Sequence, residues 1–282
     1  MTTLITGATG KVGRHVVAGL TETGEPFRAA CRNPSGVAAD TVAFDWLDSG
    51  TWRAALDGVT RMWIVPQAKG RYDVSAEVID FLKLAAEKGS IERIGLLSVK
   101  NAEQLNADLP ALRIEHALDR LGFTWFSLRP GWFFQNFTVG MFARSIVKEG
   151  EIWAPGGDGR IGFIDARDIA ACVTRTISGP LPARRSYTLT GGESLTFAEV
   201  AETLSRAGRG PIRYVDVSEE VMSEYLSGLG LPPAHVSALL NHFERIKADV
   251  AGELTGDVEE LLGRPPISLA AFAADEFAPR NA

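Results

Sequence analysis

A chain of 282 residues, 45% hydrophobic and 23% charged, carries enough apolar material for a full hydrophobic core. Lys plus Arg number 29 against 35 for Asp plus Glu, a net charge of −6, which disfavours a phosphate backbone and excludes nucleic acid as a direct main partner. No basic stretch leads into an apolar one at the start and no apolar run reaches bilayer length, so a cytoplasmic protein without a membrane partner is expected. Cys31 and Cys172 lack metal-ligand spacing and read as buried reduced thiols; no metal site is expected.

Up to about residue 130, short apolar runs alternate with amphipathic ones. Strands are predicted at Thr3–Thr6, Phe27–Cys31, Val42–Phe44, Met62–Val65, Ile94–Leu97 and Thr124–Leu128. Between them lie helical patterns such as Ser75–Lys88, where Val78, Ile79, Leu82 and Ala85 share a face. Strands apolar throughout, separated by amphipathic helices, imply a parallel sheet covered on both sides. Beyond Arg129 the rhythm changes. Gly131–Gly150 reads as helix, Gly156-Gly157-Asp158-Gly159 as a turn, Asp165–Ser178 as helix and Tyr187–Thr190 as a short strand. The rest is mostly helical, with Thr196 and Glu199 spaced as a capping box. The expected fold is α/β, a doubly wound parallel-sheet Rossmann fold with a smaller helix-rich C-terminal lobe. Residues 1–150 would form the dinucleotide-binding core and 151–282 the substrate-side lobe, with helix 165–178 packing back on the core. The helical stretch Ala234–Leu254 has the pattern to pack on the lobe or on a second subunit, so a homo-oligomer stays open.

The strongest local signal is Thr6-Gly7-Ala8-Thr9-Gly10-Lys11-Val12-Gly13, directly after a strand and before an apolar helix. Gly7 permits the tight turn, Gly10 lets backbone approach a diphosphate, and Gly13 lets the helix sit close to the sheet. Thr9, Lys11 and Val12 complete the loop, and the helix start supplies N–H groups and positive dipole to phosphate. Where an NAD site usually places an acid after the second strand, this chain has Arg32. A guanidinium there suits a 2′-phosphate, so the expected cofactor is NADP(H).

With these residues the sequence resembles the NmrA-like branch of the atypical short-chain dehydrogenase/reductases. That group includes NAD(P)H-dependent quinone and azo reductases and a redox-sensing transcriptional regulator. The resemblance runs through Phe44-Asp45-Trp46-Leu47-Asp48 and Ile64-Val65-Pro66-Gln67 to Leu128-Arg129-Pro130-Gly131-Trp132-Phe133-Phe134-Gln135-Asn136-Phe137. It continues in Phe163–Ala170 and in Gly263-Arg264-Pro265-Pro266. It implies that Asp45 and Trp46 lie beside the adenine, that Val65, Pro66 and Gln67 lie beside the nicotinamide ribose, and that Ser98 is the strand-end serine that meets cofactor or substrate.

The Tyr-x-x-x-Lys pair of classical short-chain dehydrogenases is absent. The four tyrosines, Tyr72, Tyr187, Tyr214 and Tyr225, are followed four positions later by Ala76, Gly191, Ser218 and Leu229. Hydride transfer to an electron-poor conjugated acceptor needs no such pair, because orientation is the main demand. Ser98 and Lys100 are the candidate catalytic residues. Lys100 is otherwise expected to be solvated. Phe133, Phe137 and Met141 recur every four residues as a buried helix face, which leaves Trp132 and Phe134, with Asn136, as the candidate substrate pocket. The expected activity is NADPH-dependent reduction of a small quinone, azo or ketone substrate. A non-catalytic NADP(H) sensor and a secondary-metabolite ketoreductase are the alternatives.

Overall fold

The computed structural model describes residues 1–277 other than 36, 39, 106, 107, 180–183 and 209. Nine strands occur among the described residues: β1 (Thr2–Thr6), β2 (Phe27–Cys31), β3 (Thr41–Ala43), β4 (Val59–Ile64), β5 (Arg93–Leu97), β6 (Trp125–Pro130), β7 (Glu151–Ala154), β8 (Arg185–Leu189) and β9 (Arg213–Asp216). The chain divides into two units. The first comprises Met1–Pro130, Ala166–Leu189 and Glu260–Gly263; the second comprises Gly131–Asp165, Thr190–Glu259 and the described residues from Arg264 on. No single cut after residue 150 separates them, because helix Ala166–Ser178 and β8 bury their apolar residues in the first unit.

In the first unit seven strands form one sheet in the order β3-β2-β1-β4-β5-β6-β8, every neighbouring pair parallel. The chain runs outward from β1 through β2 to β3, then returns to β4 on the other side of β1 and continues to β8. That reversal places a crevice at the carboxyl ends of β1 and β4, the usual ligand position of a doubly wound sheet. The strands are apolar throughout because both faces are covered. Leu4, Met62, Ile64, Ile94 and Leu96 join Ile114 and Leu118 of helix Pro110–Arg120 and Phe81 and Leu82 of helix Ser75–Lys88 in one buried cluster. Phe81 meets Phe44, Trp46 and Trp52 edge-on there, with ring centroids 5.4, 5.4 and 5.8 Å away. Successive side chains alternate across a strand, so Ile5, Trp63 and Gly95 face the opposite side. That side is covered by α1 (Gly13–Thr23) and helix Ala166–Ser178. These two helices approach at Gly19, where a Cβ would lie 3.0 Å from Thr174 Cγ2.

The second unit has a two-stranded parallel sheet of β7 and β9 and a core rich in phenylalanine, including Phe134, Phe137, Phe142, Phe163, Phe197, Phe243 and Phe272. Helix Phe197–Arg206 starts in the expected capping box: Glu199 N–H donates to Thr196 Oγ1 at 3.1 Å and Thr196 N–H donates to Glu199 Oε2 at 2.8 Å. Residues 131–150 differ from the single helix expected. They form a 3₁₀ turn at Phe134–Phe137 and a separate helix at Ala143–Glu149. The cause is non-local pairing, because Ile164 N–H donates to the Trp132 carbonyl and Phe134 N–H to the Ile164 carbonyl. Backbone groups tied to a distant segment are lost to an i, i+4 ladder. Among the described residues no helix is long and apolar enough to cross a membrane.

Candidate functional site

The carboxyl end of β1 leads into the glycine loop, and three contacts fix its shape. Thr6 Oγ1 donates to the Trp63 carbonyl at 3.1 Å and accepts the Val65 N–H at 2.8 Å, which ties the end of β1 to the end of β4. Gly7 takes a left-handed φ of 64° and turns the chain, and Gly10 N–H closes the turn on the Gly7 carbonyl at 2.9 Å. Gly7 also lies against Val65, whose Cβ would be 3.1 Å from a Cβ at that position. Helix α1 then starts with no side-chain cap at Val12 and no acidic residue in its first turn. Uncapped N–H groups at a helix start are anion-binding groups. Thr9 and Gly10 are exposed beside them, while the Val12 side chain is buried, so Val12 contributes backbone alone.

Two positive side chains flank this loop, and a third follows β2. Lys11 is half-buried, and that burial, then the charge of Arg14, pushes its ammonium down to about 8. Arg32 is exposed just past β2 and makes no hydrogen bond or ion pair with any described residue. Beyond β3, Asp45 is half-buried and its Oδ1 accepts the Leu47 N–H at 3.0 Å. Trp46 departs from the expectation of an indole beside the ligand. It is 4% exposed within the aromatic cluster, and its Nε1 donates to the Val65 carbonyl at 3.0 Å. Its contribution is to hold the end of β4, where Val65 and Pro66 are half-buried and Gln67 is exposed.

Ser98 and Lys100 lie one strand further along. Ser98 N–H donates to the Leu128 carbonyl at 2.8 Å and Lys100 N–H to the Pro130 carbonyl at 3.1 Å, which extends the β5–β6 ladder past the end of β5. Lys100 is consequently buried at 8% exposure, not solvated. Ser98 Oγ is buried and has no hydrogen-bond partner among the described residues. A buried hydroxyl without a partner marks a place where a ligand atom can complete the bonding. Arg129 of β6 holds this segment: its guanidinium reaches Glu103 Oε1 at 2.6 Å and Glu115 Oε1 and Oε2 at 3.1 and 2.5 Å.

In the first unit, then, the structure brings to one edge of the sheet Gly7, Thr9, Gly10, Lys11, Gly13, Arg32, Asp45, Val65, Pro66, Gln67 and Ser98. The residues present fit a dinucleotide: Val12 and Gly13 at the loop–helix junction have N–H groups with no acceptor among the described residues, glycines leave room for a diphosphate, and Ser98 supplies an unsatisfied hydroxyl. No group of His, Cys, Asp and Glu among the described residues has the arrangement to hold a metal ion.

The expected substrate pocket residues belong to the second unit. Phe134 is 1% exposed, stacked on Phe163 and Phe272 with centroids 6.1 and 5.2 Å away. It is a core residue, not a free pocket wall, because the 3₁₀ turn points it inward together with Phe137. Phe133, expected in the buried face, is the half-buried one. Asn136 is half-buried, and its carbonyl accepts the Phe142 N–H at 3.1 Å. Gln135, next to it, donates from Nε2 to Asp165 Oδ1 at 2.9 Å. Trp132 remains half-buried, with the His242 ring against it. Sequence reading does not bring in His242, which lies 110 positions away in helix Pro233–Lys247 with no motif around it.

The sequence profile of the NmrA-like family matches residues 1–263. An NAD(P)H azoreductase of Xenophilus azovorans is 31% identical over 280 residues, which cover 96% of this chain and 96% of that protein. An agroclavine dehydrogenase of Claviceps fusiformis is 32% identical over 287 residues, covering 98% of this chain and 97% of that one. The crystal structure of an NADPH-dependent quinone oxidoreductase from Escherichia coli, complexed with NADPH, matches with a TM-score of 0.79 at 24% identity, over 97% of this chain and 99% of that chain. The last likeness is one of fold. A glycine turn feeding an uncapped helix, a sheet reversed beside β1, and a family profile matched over almost the full length lead to one conclusion: the chain belongs to the NmrA-like family.

Proposed function

We propose that this protein is a nicotinamide-dinucleotide-dependent oxidoreductase that prefers NADPH and reduces a small conjugated or aromatic acceptor of quinone, azo or ketone type. The observation that carries the reading is the glycine turn between β1 and α1 with Arg32, and no carboxylate, directly after β2. The azoreductase and dehydrogenase names of relatives matching end to end support an oxidoreductase. When bound, reduced nicotinamide supplies a hydride. The protein's own part is orientation, which can account for several kcal/mol of a barrier. The N–H groups at the start of α1 hold the diphosphate, and Arg32 holds the 2′-phosphate as a charge-assisted fork. Val65 closes against Gly7 and shapes the crevice floor. Ser98 Oγ, buried and short of a partner, donates a hydrogen bond to a ribose or acceptor oxygen. Lys100, two residues on and buried, is the second group assigned to favour developing negative charge. The absence of Tyr-x-x-x-Lys fits acceptors whose reduced form is protonated by water.

The test follows the near-ultraviolet absorbance of NADPH, with the purified protein and a panel of quinones, azo dyes and aromatic ketones. Oxidation dependent on both protein and acceptor, with NADH a poorer donor, is the expected result. Tight NADP+ binding without turnover of any acceptor would replace the enzyme reading with that of a dinucleotide sensor.

A further inference from the structure

The second unit carries a groove of about 270 Å³ between helix Ala143–Glu149, β7 and helix Glu219–Gly228. Every residue that lines it belongs to that unit. The volume is at the small end of ligand pockets, with room for a compound of one or two fused rings.

One wall is aromatic. Along β7, Ile152 and Ala154 are buried in the phenylalanine-rich core, so alternation turns Trp153 to the opposite face. Tyr225 comes from helix Glu219–Gly228, whose Met222 and Leu226 enter the same core. The two rings meet with centroids 5.6 Å apart and planes at 60°. Their polar tips are engaged: Trp153 Nε1 donates to Glu151 Oε2, and the Tyr225 hydroxyl donates to the Met141 carbonyl at 2.9 Å. Each ring is half-buried, and what it presents to the groove is its apolar body.

The other wall is cationic. Arg144 and Lys148 stand four apart on helix Ala143–Glu149 and so share one face. Both are exposed, and neither makes a hydrogen bond or ion pair with any described residue. Glu149 also lines the groove. Glu151 is already taken by Trp153 and by Arg213, whose Nε donates to Glu151 Oε1 at 3.0 Å. Two cations against one carboxylate leave the groove positive in a chain whose net charge is −6. Like charges four apart on a helix repel, and an anion between them removes the repulsion. Gly228 leaves one edge open, because a Cβ there would meet nothing within 4 Å.

We propose that this groove binds a small aromatic anion, a carboxylate or sulfonate on one or two fused rings. The ring lies against Trp153 and Tyr225, and the charge lies between Arg144 and Lys148. A neutral aromatic leaves the cation pair unanswered, and an inorganic anion leaves the aromatic wall wet. The site stands apart from the reductase reading, since no residue of the glycine loop takes part.

The experiment titrates naphthalenesulfonate into the full-length protein by calorimetry, with and without excess NADP+. Saturable binding at a single site is expected in both cases, with naphthol and inorganic sulfate binding more weakly. Arg144→Gln and Lys148→Gln should each weaken it about fivefold, the size of one charged contact at a partly exposed site, and the double variant should lose it. Gly228→Phe, which fills the groove from its open edge, should block binding; the charge variants decide the matter even where Gly228→Phe proves unstable. Arg206→Gln removes an equal charge elsewhere in the unit, where Arg206 pairs with Glu202, and should bind like wild type. Thermal melts that match wild type show that the surface variants are folded. Absence of saturable binding to the wild-type protein overturns the proposal. So does wild-type affinity in the double variant, an equal loss in Arg206→Gln, or naphthol binding as tight as that of the sulfonate. Displacement of the sulfonate by NADP+ would assign it to the glycine loop and overturn the proposal as well.

Discussion

Gly13 faces Gly7 so closely that a methyl group on Gly13 would lie 2.1 Å from the Gly7 carbonyl oxygen and 2.9 Å from Ala8 Cα. The contact is backbone against backbone, so no side chain can rotate away to relieve it. Gly13→Ala must push the start of α1 off the loop that it closes. The expected result is loss of dinucleotide binding together with about 1–3 kcal/mol of stability, as for other overpacked sites. Fluorescence titration with NADPH and urea unfolding of the same preparation check both halves.

Arg32 separates the two pyridine nucleotides. Its guanidinium is unengaged within the described residues, so removing it breaks no internal contact. Arg32→Ala should weaken NADPH binding by about 10–100-fold, the range for one charge-assisted fork, and should leave NADH binding nearly unchanged. Parallel titrations with both nucleotides decide it. Equal weakening of the two would take the 2′-phosphate away from this residue.

Lys11 makes binding pH-dependent. Its ammonium is pushed down to about 8 by burial and by Arg14, so the free protein loses this charge as pH rises through that value. A neighbouring phosphate favours the charged form and raises the pKa again in the complex. Binding therefore takes up a proton above that point. NADPH affinity should be level at neutral pH and should fall progressively above about 8, while Lys11→Met should show weaker but flatter binding. Calorimetry in buffers of different ionisation enthalpy measures the proton uptake directly. No uptake on the alkaline side would place Lys11 away from the phosphates.

Arg129 is the electrostatic anchor of the segment that carries Ser98 and Lys100. Its side chain is 11% exposed and that of Glu115 is 5% exposed, so breaking the pair strands a buried carboxylate. Arg129→Met should cost about 3–5 kcal/mol of unfolding free energy, whereas Glu103→Gln, which removes the more exposed partner, should cost under about 1 kcal/mol. Denaturant titrations of the two variants give the comparison.

The parts of this molecule that were legible in the sequence are those decided within a few residues. The glycine turn, α1, the Ser75–Lys88 helix and the Thr196 capping box each depend on near neighbours, and each lies where its pattern placed it. The sheet followed from uniformly apolar strands, because burial on both faces leaves no polar alternation to mislead. What escaped was set by distance. Strands β7 and β9 pair across some sixty residues, and each is only four residues long. The inward turn of Phe134 depends on the Ile164 backbone, and the burial of Lys100 on the Pro130 carbonyl. Trp46 looked like a ligand-facing aromatic, yet Phe81, thirty-five positions on, claims its face. His242 has no local signature; its neighbour Trp132 exists only in three dimensions.

The first unit is finished late in translation. A nascent chain that has emerged as far as Pro130 already holds six of its seven sheet strands. It lacks β8, whose Ser186 hydroxyl accepts a hydrogen bond from Ser127, and it lacks the helix whose Thr174 sits over Gly19. Until about residue 190 leaves the ribosome, β6 is an open strand edge, and the faces of β4, β5 and β6 that helix Ala166–Ser178 covers are bare. An expression fragment that stops before Leu189 should therefore be aggregation-prone, however complete its glycine motif.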